Sequence, residues 1–205
     1  MTKQSVFSTP FSIVALSVLL LSCNSSPQLS ESTEWSIRES DLLALGTWQL
    51  QGRVNARYKN ESHTPRIRWQ QNDSEYSIRL WGTLNVGATL IEGQPGFVTF
   101  EQGSETRTAS SPEQLILEQL GYELPVSQLN YWIKGLPTPD EEHQMVLGEF
   151  NQLLSLEQSG WTMNYEDYRL FGSYSLPRRI EMSRDENNIR LVFIGLNWTI
   201  DESVN

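Results

Sequence analysis

The 205-residue chain has one cysteine and two histidines, and its 15 basic residues are outnumbered by 25 acidic ones. A lone cysteine excludes a disulfide scaffold and any cysteine-rich metal site. Only His63 and His143 could serve a Ser/His/Asp hydrolase as base. Both lie in polar stretches that read as surface loops, and no Gly-x-Ser-x-Gly elbow accompanies them. Glycine-rich phosphate loops and His-x-x-His pairs are absent too, so the chain offers no candidate catalytic residue, and no metal or cofactor is expected. The formal net charge is −10 and the pI near 4.7. That balance argues against nucleic acid as the partner, because phosphate binding needs clustered Lys and Arg. No apolar run reaches the roughly 20 residues of a membrane-spanning helix.

Apolar side chains are plentiful. Hydrophobic residues make up 38% of the chain, with seven each of Trp, Tyr and Phe, which is too apolar for a disordered polymer. The length suits one domain with a full core.

The first 22 residues read as an address. Lys3 precedes an apolar run of 11 residues, Phe11 to Leu21, the length of a signal-peptide core. The run ends in Leu20-Leu21-Ser22-Cys23, which resembles the bacterial lipobox, although Leu21 departs from the usual small or β-branched residue. The alternative is a secretory signal in which the cysteine is incidental. On the lipobox reading Cys23 becomes the acylated N-terminus, and Asn24, not aspartate, follows it, as in outer-membrane sorting. Removing residues 1–22 deletes only Lys3 among charged groups, leaving 14 basic and 25 acidic residues, net −11. Residues 23–33 are polar and aperiodic and read as an acylated flexible tether. Residues 34–205 form the single domain.

Within that domain, Trp35, Ile37, Leu42, Leu43 and Leu45 recur at helical spacing, predicting a helix near 34–45 that stops at Gly46. The period then changes to two. Trp48, Leu50, Gly52, Val54, Ala56 and Tyr58 alternate with polar residues, as do Ile67 and Trp69, then Tyr76, Ile78 and Leu80. Turns at 59–63 and 72–74 join these runs into hairpins. Further strands are predicted near 86–92, 96–101, 104–108, 150–158, 161–168, 175–183 and 189–200. Between the blocks, Ser111-Pro112-Glu113 opens a helix ending at Gly121, and another starts near Pro125 and ends before Gly135. No βαβ rhythm supports a parallel nucleotide-binding sheet. The fold class is therefore mainly antiparallel β with a few α-helices covering the mouth or concave side of the sheet.

These residues resemble the outer-membrane lipoprotein receptor family LolB. The resemblance begins at Trp48-Gln-Leu-Gln-Gly52-Arg53, continues through Trp69-Gln70-Gln71 and Tyr76 to Leu80, and enters Gly82-Thr83-Leu84-Asn85. Its most specific part is Leu120-Gly121 through Leu124-Pro125-Val126, Leu129 and Trp132-Ile133-Lys134-Gly135-Leu136-Pro137. The resemblance implies an open half-barrel sheet with a hydrophobic cavity covered by helices. The function it implies is that of a monomer that accepts triacylated lipoprotein cargo from the periplasmic carrier LolA and inserts it into the inner leaflet of the outer membrane, facing the periplasm. A family leucine that promotes insertion corresponds to Leu84. Thr83 and Asn85 replace the usual proline and glycine of that turn, and the tip is Leu84 or Val86. The expected cavity lining is Trp48, Leu50, Val54, Ile67, Trp69, Ile78 and Leu80 from the sheet, with Leu117, Leu129 and Trp132 from the helices. The rival function is an outer-membrane-anchored lipoprotein that binds another apolar ligand, or is structural, without cargo transfer.

Overall fold

The computed structural model describes residues 31–82, 87–121 and 123–201; Cys23, Leu84, Val86 and the segment 1–22 lie outside them. Helix α1 spans Glu31–Ala44, so it starts three residues earlier than the sequence suggests and takes in the end of the stretch read as tether. Its buried stripe is Trp35 and Leu42, continued by Leu45, while Ile37 and Leu43 face solvent.

Four strands follow, β1 (Thr47–Tyr58), β2 (Glu61–His63), β3 (Arg66–Asn72) and β4 (Glu75–Trp81), then β5 (Thr89–Gln94), β6 (Phe97–Gln102) and β7 (Glu105–Ala109). Helices α2 (Pro112–Leu120) and α3 (Val126–Trp132) separate them from β8 (His143–Leu147), β9 (Leu153–Gln158), β10 (Trp161–Phe171), β11 (Tyr174–Arg184) and β12 (Ile189–Ile200). Two short strands differ from the sequence expectation. β2 occupies part of the expected turn, and β8 starts at His143, which was expected in a loop.

The α2 boundaries follow its caps. The Ser111 hydroxyl accepts from the Gln114 amide at 3.2 Å, Pro112 opens the helix, and Gly121 closes it in the left-handed region with its amide donating to the Leu117 carbonyl.

All strand pairs are antiparallel, in the order β7-β6-β5-β4-β3-β1-β12-β11-β10-β9-β8, with β2 added to β1. Among the described residues β7 and β8 do not pair, so the sheet curls without closing. The chain's two halves thus meet along β1 and β12, at the middle of the sheet.

One irregularity sets which residues face inward there. β12 buries Leu191 and Phe193, then Leu196 and Trp198, a change from odd to even positions. The register shifts between Gln51 and Arg53 of β1, which face Asn197 and Ile194, so two residues of β12 answer one of β1. Gly195, with φ of 63°, takes the left-handed conformation that this bulge needs. Without it, one half of β12 would turn its apolar side chains to water.

An apolar hollow on the inner face

The inward-facing residues divide into two regions. Under β9 to β11 the packing is solid: Leu153, Leu156, Met163, Leu176, Ile180 and Met182 are fully buried together with Trp132, Ile133 and Leu136. Under β1 and β3 to β6 it is not. There the period-two faces contribute Val54, Ala56, Ile67, Trp69, Ile78, Leu80, Ile91 and Phe100 to the wall of a hollow of about 400 Å³. Leu191 and Phe193 of β12 complete the wall, and Ile116, Leu124, Val126 and Leu129 of the helical segment form the roof. The size falls within the range of small-molecule cavities, about 300–1,000 Å³.

Little inside this hollow could do chemistry. His63 is the only titratable side chain among its described lining residues. It sits at the exposed rim, its Nε2 3.7 Å from a Glu61 carboxylate oxygen. The polar pair Gln102 and Thr89 satisfies itself, Gln102 Nε2 donating to Thr89 Oγ1 at 3.1 Å. His143 lies elsewhere, exposed, with Nδ1 3.0 Å from the Glu141 carbonyl. A space so lined can hold apolar matter and exclude water from it.

Of the ten lining residues expected from sequence, Val54, Ile67, Trp69, Ile78, Leu80 and Leu129 are brought together around the hollow. Four are not. Trp48 and Leu50 share the correct face but belong to its sealed end: Trp48 is wedged between Trp69 and Trp198, at centroid separations of 5.4 and 5.1 Å, and Leu50 is fully buried. Trp132 lies a turn beyond Leu129 and rotates off the hollow. It packs on Trp161 and donates its indole N–H to Gln158 Oε1 at 2.8 Å. Leu117 is 44% exposed. Three consecutive apolar residues sweep about 200° of helix surface, so Leu115 and Ile116 turn inward and Leu117 turns out. Sequence reasoning passed over Ile91, Phe100, Ile116, Leu191 and Phe193. The alternation around Ile91 and Phe100 was available as a signal, whereas the unbroken run Leu191 to Ile194 hides its phase.

This geometry can be set beside known proteins. The sequence model of the family "Outer membrane lipoprotein LolB" matches residues 46–195. The chain belongs to the LolB family. It is 38% identical over 160 residues to the outer-membrane lipoprotein LolB of Pseudomonas fluorescens, covering 78% of each chain. It is 37% identical over 163 residues to that of Pseudomonas syringae pv. syringae, covering 79% of this chain and 80% of the relative. Among solved structures, a LolA superfamily protein from Nitrosomonas europaea superposes with a TM-score of 0.53 at 8% identity, covering 85% of this chain and 95% of that one. A DUF1329 family protein from Desulfovibrio piger gives 0.55 at 7% identity, covering 84% and 92%. These two likenesses concern the fold, an open antiparallel sheet with helices.

The LolB-like stretch from Trp132 to Pro137 is wholly buried and acts as a structural knot. Gly135 has φ of 78°, and a Cβ there would stand 2.8 Å from the Tyr168 hydroxyl, which itself donates to the Leu153 carbonyl at 2.8 Å. Gln158 answers from β9, accepting from the Thr138 amide at 2.8 Å and donating to the Thr138 carbonyl at 3.0 Å.

Proposed function

We propose that this outer-membrane lipoprotein accepts acylated lipoproteins from the periplasmic carrier LolA by taking their fatty chains into the apolar hollow, and then passes them to the inner leaflet of the outer membrane. The observation that carries the reading is the hollow itself: an apolar space between a curved sheet and two short helices, with no charged group among its described lining residues, in a chain of the LolB family.

Physical chemistry supplies the need. Burying a CH₂ group is worth about 0.8 kcal/mol, so exposing one sixteen-carbon chain to water costs on the order of 12 kcal/mol. Passage through water is correspondingly slow, and direct transfer between apolar cavities avoids it. Each receiver must bind more tightly than its donor, with the bilayer last, and no nucleotide is then required.

Cys23 supplies the acyl anchor, residues 23–30 the reach, and Leu84 or Val86 the contact that commits cargo to lipid. The chain works as a monomer, one hollow for one cargo.

The test is transfer of a purified triacylated lipoprotein from LolA to the full-length protein reconstituted in vesicles, with displacement of a hydrophobic fluorophore by a triacylated peptide as the binding readout. Cargo should leave LolA and the fluorophore should be displaced. Displacement of the fluorophore without acceptance of cargo would instead make the protein a binder of some other apolar ligand.

A further inference from the structure

Most cations of this acidic protein are already engaged. Arg107, Arg169, Arg178, Arg179, Arg184 and Arg190 each form an ion pair with a carboxylate. Arg38 donates to the Ser175 carbonyl, Lys134 is buried, and Lys59 lies over the Tyr58 ring. That leaves Arg53, Arg57, Arg66, Arg68 and Arg79. All five are exposed, and none forms an ion pair among the described residues.

Their positions are set by register. Each faces away from the hollow, because Val54, Ile67, Trp69, Ile78 and Leu80 occupy the inward positions beside them. Arg53 of β1 stands directly opposite Arg66 of β3, and Arg68 of β3 directly opposite Arg79 of β4. Like charges at such positions are destabilising, since directly opposed Cβ atoms lie only about 4.5–5.5 Å apart. The acids of this face stand off: Leu90 separates Arg79 from Glu101, and Glu92 is opposite Ser77, diagonal to Arg79. No run of basic residues in the linear sequence announces this cluster; pairing of three strands assembles it.

Apolar groups complete the row. Ile194, 41% exposed, stands opposite Arg53 across the bulge, and half-buried Trp81 stands opposite Arg66. A shallow depression of about 350 Å³ lies between Gly52, Arg53, Arg66, Ile194 and Gly195.

We propose that this outer face of β1, β3 and β4 docks on the anionic phospholipid surface of the membrane, its arginines on headgroup phosphates and Ile194 and Trp81 at headgroup depth. The guanidinium fork matches phosphate oxygens, and an indole beside cations is typical of membrane interfaces. No described carboxylate pairs with these opposed arginines, so an external anion would relieve their mutual repulsion. A bilayer is favoured over an acidic protein because the apolar residues lie within the charged row, and because a lipid-anchored domain stays close to that surface at high effective concentration. The inference deepens the receptor reading and rests on it, since it gives the domain a fixed orientation during delivery.

The test uses full-length acylated protein in vesicles, with an environment-sensitive fluorophore on Leu90→Cys, which adds a thiol to the outer face beside Arg79. Lipids brominated near the headgroup should quench it in phosphatidylcholine vesicles containing phosphatidylglycerol, not in phosphatidylcholine alone, and high salt should abolish the effect. A label at Leu170→Cys on β10 should not respond. The variant Arg53→Gln/Arg66→Gln/Arg68→Gln/Arg79→Gln, its fold checked by circular dichroism, should lose the quenched population by about tenfold or more. The pair Arg53→Gln/Arg79→Gln gives the intermediate dose and serves alone if the larger variant does not fold. Equal quenching in both lipids, or unchanged quenching in the variants, overturns the proposal. Unchanged quenching with lost cargo uptake from soluble LolA assigns the face to an acidic protein partner and also overturns it. Cargo acceptance on the same samples separates the two readings: normal acceptance without lipid contact removes only the docking face, and lipid contact without acceptance removes only the receptor.

Discussion

Lys134 Nζ donates to the backbone carbonyl of Leu42 at 3.1 Å, joining the segment after α3 to the end of α1 across 92 positions of sequence. A second bond reaches the Leu45 carbonyl at 3.4 Å. Helix α1 has no basic residue in its own last turn, so this ammonium satisfies carbonyls that the helix leaves open and meets the negative end of its dipole.

This cap makes stability depend on pH. Burial lowers the Lys134 pKa from 10.5 to about 8. Between those values the unfolded chain holds a proton that the folded chain has released, so stability should rise with pH from about 8 towards 10, by an amount on the order of 2–3 kcal/mol. Buried Tyr165 and half-buried Tyr168, both raised above the usual tyrosine value by desolvation, act oppositely above pH 10, where the unfolded chain loses protons first. Urea midpoints across pH 7–11 should therefore pass through a maximum, and Lys134→Met should flatten the ascending limb. An unchanged ascending limb in that variant would remove Lys134 as its cause.

Filling the hollow should abolish binding without unfolding the protein. Ile116 projects from α2 into open space, so Ile116→Trp has room that a packed core lacks. Affinity for a hydrophobic fluorophore should fall at least about tenfold, equivalent to 1.4 kcal/mol, while thermal stability holds. Normal binding by a folded variant would mean that ligand sits elsewhere.

Gln158 serves four polar groups at once, the Glu141 carbonyl at 3.5 Å being the most distant. Replacing it by leucine strands the Trp132 indole N–H and both backbone groups of Thr138. The expected loss is about 2–4 kcal/mol in chemical denaturation. A loss below about 1 kcal/mol would show that water replaces it readily.

The bulge at Gly195 permits a graded test. A Cβ there meets nothing within 4 Å, so Gly195→Ala carries only the backbone penalty, about 1–2 kcal/mol. Deleting Gly195 should be far worse, because Leu196 and Trp198 would exchange faces with Asn197 and Thr199. Similar stability for the two variants would contradict the phasing role.

Leu84 falls outside the described residues, and the insertion role proposed for it is the one the family resemblance implies. A Leu84→Glu variant should accept cargo from LolA normally but leave it uninserted, measured by separating the reconstituted vesicles from soluble fractions. Normal delivery would pass the role to Val86 or dismiss it.

The strands were legible in the sequence because alternation is a local code: Val54, Ile67, Trp69, Ile78 and Leu80 could be placed on one face without knowing their neighbours. Alternation does not say whether another layer presses against that face. Trp48 and Trp69 carry the same local signal, yet Trp69 lines the hollow while Trp48 is covered on both sides by Trp69 and Trp198, a distinction made by residues far away in the sequence. The opposed pair Arg53 and Arg66 was illegible for a related reason, since only register brings them together. The segment from Trp132 to Pro137 carried much of the family resemblance and none of the hollow. Its spacing answers to the contacts of Lys134, Gly135 and Gln158.

Because β7 and β8 do not pair among the described residues, no hydrogen-bonded ladder fixes the girth of the sheet. A sealed barrel has its bore dictated by strand number and stagger, and widening it means breaking a ladder. Here the margins can swing apart while every rung between neighbours stays intact. For the receptor proposed above, that freedom would let capacity follow the load, from one fatty tail to several, and shrink again once the bilayer has taken them.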